Sequence, residues 1–139
     1  MRKKNIILAA ILAIATIIAI AVWVGGSNLN QLKDMDSADI AEIIICNPAK
    51  YYTITEQEDM QTLLESLQSM NLSRKLKNNK DGFAFLIDIK LKSGETIKMS
   101  ILSGNIRINN HYYKPDKDYC NSIGEIFNTL SEKYENNPT

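Results

Sequence analysis

Histidine, tryptophan, cysteine and proline are scarce in this 139-residue chain: one His, one Trp, two Cys and three Pro. Each scarcity closes off a class of chemistry. A single His, His111, leaves no histidine pair for a proton relay and no histidine cluster to hold a metal. Cys46 and Cys120 lie too far apart in sequence to form a C-x-x-C redox or zinc motif. The six glycines follow neither the spacing of a phosphate-cradling loop nor that of a nucleophile elbow. Glu56, Glu58 and Asp59 cluster where a helix should begin, and the helix dipole alone explains them. No catalytic, metal-ligating or cofactor-binding set emerges, so the sequence reads as a non-enzyme without a cofactor.

An excess of charge is missing too. Sixteen Lys and Arg balance sixteen Asp and Glu, but Arg2, Lys3 and Lys4 stand at the very start. From Ser27 onward thirteen cations face sixteen anions, a net of minus three. That balance gives no electrostatic reason to expect a nucleic-acid partner.

What the chain does have is one long uncharged run. Residues 6–24, IILAAILAIATIIAIAVWV, hold no charged side chain. As a helix rising about 1.5 Å per residue, the run is roughly 29 Å long, close to the ~30 Å hydrocarbon core of a bilayer. The three preceding cations and the trailing flank (Lys33, Asp34, Asp36 and Asp39), which is acidic on balance, predict a cytoplasmic N-terminus and an exported C-terminal domain. The alternative is a cleaved signal, cut near Val24-Gly25-Gly26 to release a secreted domain. The length of the run favours an uncleaved signal-anchor, since signal peptides use about 7 to 15 apolar residues. The expected layout is a cytoplasmic basic flank over 1–5 and a transmembrane segment over 6–24. A polar spacer over 25–38, an extracytoplasmic domain over 39–134 and a frayed tail over 135–139 follow.

Within the domain, Ile-rich 39–46 and Tyr51 to Ile54 predict two short strands separated by Asn47-Pro48. Thr55 and Glu58 have capping-box spacing. Met60, Leu63, Leu64, Leu67 and Met70 then form one apolar helical stripe. Residues 71–82 are polar and read as a loop. Alternation over 83–92 and again through Ile97, Met99 and Ile101 predicts a hairpin with one buried face. Ile106 to Ile108 and a strand through Tyr112 and Lys114 fold back across Asn109-Asn110, a pair that tolerates positive φ. A final helix opens near Asp116 or Lys117 and carries Tyr119, Cys120, Ile123, Ile126, Phe127, Leu130 and Tyr134 on one face. The fold class is α+β: an antiparallel β-meander in the order β-β-α-β-β-β-β-α, with two amphipathic helices on one face, after an N-terminal transmembrane helix.

Candidate contact residues are few. Arg74, Lys75, Lys77 and Lys80 form a basic stretch that would attract anionic lipid or envelope polymer by about 1 kcal/mol per charge near a surface. The plainer reading is a solvated loop. Tyr112 and Tyr113, with Tyr51 and Tyr52, offer an aromatic face, although strand alternation buries one of each adjacent pair. Cys46 and Cys120 would lie outside the cytoplasm, where they can form a disulfide or pack as small apolar side chains.

The segments YYTITEQEDMQTLLESL, FLIDIKLKSGETIKMSIL, IRINNHYYK and YCNSIGEIFNTL resemble small exported or membrane-anchored domains of low-GC Gram-positive bacteria. The resemblance spans roughly residues 40 to 134 and implies an envelope location. It transfers no catalytic or binding residue. The chain departs from lipid-anchored members in having no Cys directly after the apolar run. Function then narrows to a membrane-tethered extracytoplasmic binding or protein-interaction module, its partner a protein or an envelope polymer. The alternatives are a small envelope enzyme using carboxylate or Tyr chemistry, and a passive subunit of a membrane complex.

Overall fold

The computed structural model describes residues 5–6, 8–12, 28–75 and 82–135, in two units, Met1–Lys33 and Asp34–Thr139. In the first unit, residues 5–6 and 8–12 are helical, with Ile6, Leu8, Ile11 and Leu12 each more than half exposed. No helix among the described residues is long and apolar enough to cross a membrane. Residues 13–24, which make up most of the expected transmembrane segment, lie outside the described residues. Residues 28–34 are helical, so part of the polar spacer has regular structure. Beyond Gly26 it contains neither Gly nor Pro to interrupt a helix.

The second unit is α+β, built on a seven-stranded antiparallel sheet. Its strands are β1 (Ile40–Cys46), β2 (Tyr51–Ile54), β3 (Leu72–Lys75), β4 (Phe85–Leu91), β5 (Thr96–Leu102), β6 (Asn105–Ile108) and β7 (His111–Pro115). The helices are α1 (Gln57–Gln68) and α2 (Cys120–Glu135). The spatial order β2-β1-β4-β5-β6-β7-β3 contains the expected meander only in β4 through β7. β1 returns to pair with β4, and β3 closes the far edge beside β7.

β3 corrects the expectation of a loop after residue 71, since Leu72–Lys75 pair in register with Pro115 back to Tyr112. Two other boundaries differ. The capping box does not form: Glu56 is the N-cap of α1 and makes no side-chain cap bond. The last helix begins at Cys120, whose N–H donates to Asp118 Oδ1 at 2.8 Å. The Asn109 turn stands as expected, with φ at 52°.

Strand alternation sorts the sheet into two faces. On the inner face, Ile54, Ile43, Ile89 and Ile97 lie side by side across four strands. Tyr52, Ile45, Ile87, Met99 and Ile108 make the next row, and Phe85, Ile101, Ile106 and Tyr113 a third. All of these are buried. β-branched Ile suits such a surface, each contributing about 1.5 to 3 kcal/mol on full burial. Both helices cover this side. Phe127 of α2 packs its ring between Tyr52 and Phe85, at centroid distances of 5.3 and 5.5 Å. Gly124, which lowers helix propensity, lies where an added Cβ would sit 3.7 Å from the Phe85 ring.

Polar clusters fix the ends of α2. Before it, the Asn71 N–H donates to the Tyr119 hydroxyl at 3.0 Å, and that hydroxyl donates to Asp116. At its far end, Lys133 pairs with Glu56 and Asp59, Tyr134 donates to Asp59, and Glu135 accepts from Tyr52 and Lys50.

These contacts set the pH response. The Tyr119 hydrogen bond holds Asp116 below its usual pKa, and Lys50 followed by Tyr52 does the same for Glu135. Depressed carboxylates stabilise the fold above their unfolded pKa, and that stabilisation disappears as pH falls through the folded value. Burial raises Tyr119 and Tyr134 and pushes the Cys120 thiol up to about 11. Raised groups stabilise the fold below their unfolded pKa and cease to do so as pH rises. Thermal melts should therefore be flat from about pH 6 to 8, and fall below pH about 4 and above pH about 9. A melting temperature constant from pH 3 to 11 would contradict these assignments.

Candidate functional site: the open face of the sheet

The outer face of the sheet is half-exposed across its width. Its middle row runs Tyr51, Cys46, Leu86, Ser100, Arg107, Tyr112, Lys75, one residue from each strand. Strands about 4.8 Å apart place Tyr51 and Tyr112 some 24 Å from each other. Tyr51 is 73% exposed, and Arg107 is exposed as well. Cys46, Leu86, Ser100, Tyr112 and Lys75 are half-buried. A shallow hollow of about 290 Å³ lies at the centre, lined by Ile44, Cys46, Leu86, Asp88, Lys98 and Arg107.

Charge on this face is not uniform. Glu42 pairs with Lys90 at 3.0 Å, and Asp88 sits opposite Lys98 in the β4–β5 register. Towards β6, β7 and β3 the charged side chains among the described residues of this face are cations: Arg107, Lys75 and Lys114, the last on β7 opposite Ser73. None of these three makes an ion pair among the described residues. The helices have the opposite balance. α1 carries Glu58, Asp59 and Glu65 with no cation, and α2 carries Glu125, Glu132 and Glu135 against Lys133. A domain with a net negative sequence thus concentrates positive charge at one end of its open face.

Of the residues singled out from sequence, the fold unites Lys75 with Tyr112 and Arg74 with Tyr113, as direct cross-strand neighbours. Tyr113 faces inward and is 3% exposed, so it is a core residue and no surface contact. Lys77 and Lys80 lie outside the described residues. Cys46 and Cys120 are both free, the first on the open face and the second at the start of α2. Sequence reasoning missed Arg107 and Lys114. Their signal was the outward position in strand alternation, which becomes a patch only once the register across β6, β7 and β3 is known.

A second hollow of about 370 Å³ separates α1 from α2 and is lined by Glu58, Asp59, Thr62, Glu125, Ile126, Thr129 and Leu130. Its most enclosed carboxylate, Asp59, is already engaged by Lys133 and Tyr134, which makes this a seam between helices. Among the described residues no group of three or more His, Cys, Asp or Glu could hold a metal ion. No family model, no curated protein and no solved structure matches this chain.

Proposed function

We propose that this protein is a membrane-tethered extracytoplasmic binding module, whose open sheet face engages a component of the cell envelope. One observation carries the reading: among the described residues of the second unit, helices cover only one side of the sheet. The other presents an apolar centre of Ile44, Cys46 and Leu86, flanked by tyrosines and by cations that make no ion pair among the described residues. Apolar centres with charged rims are the anatomy of recognition surfaces. The tether rests on the uncharged run over 6–24 behind Arg2, Lys3 and Lys4, and on the exposed apolar residues of the helical stretch over 8–12. Attachment to the membrane raises the effective concentration of the face towards anything fixed nearby, so modest intrinsic affinity suffices.

Sidedness is tested by Asn128→Cys, at an exposed position of α2, in a chain also carrying Cys46→Ser and Cys120→Ser. A membrane-impermeant maleimide added to intact cells should label this chain, and the label should sediment with membranes. Labelling only after lysis, or a labelled chain free in the soluble fraction, would sink the proposal.

A further inference from the structure

We infer that the basic end of the open face binds a linear anionic glycan, laid across the strands along the row from Lys75 through Tyr112 and Arg107 towards Tyr51. This rests on the reading of the face as a binding surface and names the chemistry of its ligand. Three observations combine.

The first is charge. Lys75, Arg107 and Lys114 surround Tyr112 with no anion paired to them among the described residues, in a domain whose helices are acidic. Cations on an edge strand block unwanted strand pairing, and that accounts for Lys75 on β3. It does not account for Arg107, which lies two strands inside the edge. The second is the tyrosine. Tyr112 is half-exposed, flanked by cations on both neighbouring strands, and its hydroxyl has no hydrogen-bond partner among the described residues. A flat ring with a free polar edge matches a sugar, which offers an apolar C–H face and hydroxyls at its rim. The third is shape. The hollow beside Leu86 runs from Cys46 on β1 across β4 and β5 to Arg107 on β6, with Asp88 and Lys98 beside one another on its wall. A hollow that crosses strands suits a chain lying across the sheet, whereas an added peptide strand would pair along the sheet edge and leave it empty. Carboxylates along the glycan would meet Lys75 and Arg107, which stand about 10 Å apart on alternate strands.

The experiment uses the full chain in neutral phosphatidylcholine nanodiscs, titrated with an oligogalacturonate long enough to span the row. The acid form should bind and its neutral methyl ester should not. Lys75→Ala combined with Arg107→Ala should weaken binding at least tenfold, as should Tyr112→Ala, while Tyr112→Phe should lose less. Raising salt should weaken binding, because exposed charge pairs are screened. Melting curves identify any variant that fails to fold; Arg107 is exposed, so Arg107→Ala keeps the test available. Equal binding of acid and ester, or binding of neither, overturns the inference. So does a polyglutamate peptide that binds as tightly, which reassigns the patch to acidic protein segments. Capture by phosphatidylglycerol vesicles without oligosaccharide binding reassigns it to lipid. If crosslinks form from the open face in cells while no oligosaccharide binds, the inference falls and the binding-module reading stands.

Discussion

Replacing Phe127 with alanine is expected to lower stability by about 3 to 5 kcal/mol, the usual cost of emptying a buried aromatic site. Phe127 is 4% exposed and joins α2 to two separate strands through Tyr52 and Phe85. Its loss removes two tilted ring contacts, each worth about 0.5 to 1.5 kcal/mol beyond area burial. Collapse into the space is hindered, because the neighbouring rings are held elsewhere. Tyr52 is fixed through its hydroxyl to Ser131 and Glu135, and Phe85 is fixed by its place in the sheet. For a domain of this size the melting temperature should drop by on the order of 15 °C or more. Asn128→Ala, one residue along on the exposed side, should change stability by less than about 0.5 kcal/mol. Denaturant melts of the two variants give the comparison. A loss under about 1.5 kcal/mol for Phe127→Ala would mean that α2 does not anchor on this ring cluster.

Much of the fold was legible because apolar period and burial coincide. Phe85, Ile87 and Ile89 alternate in sequence and face the core in fact, and the stripe from Met60 to Leu67 is buried as one side of α1. β3 was hidden for a physical reason. Leu72–Lys75 carries a single apolar residue, and nothing in it is fully buried, so no period separates it from a loop. Its pairing is supplied by β7, some forty residues later in the chain, and by the Asp116 N–H donating to the Asn71 carbonyl at 3.1 Å. The start of α1 lies one residue later than the Thr55–Glu58 spacing predicts, with Glu56 as N-cap. There Glu56 and Asp59 pair with Lys133 from the far end of α2, a partner that local spacing cannot reveal. The site shows the same division. Adjacent tyrosines at 112 and 113 had to separate onto two faces, but only the register decides that Tyr113 goes inward and that Tyr112 lies between Lys75 and Arg107.

The open face itself is tested most directly by a pair of crosslinking probes. Leu86 lies at the centre of the outer row, half-buried beside the hollow, whereas Thr62 is exposed on the helical side. A photoreactive phenylalanine analogue at each position, in the full chain in its native membrane, compares the two surfaces under identical conditions. Recognition surfaces hold their partner against the centre and exclude water there, so a probe at the centre should react in high yield. The expected result is a retarded adduct from the Leu86 position and none from Thr62. Adducts of equal yield from both positions, or an adduct from Thr62 alone, would show that the uncovered side of the sheet is not where this protein meets its partner.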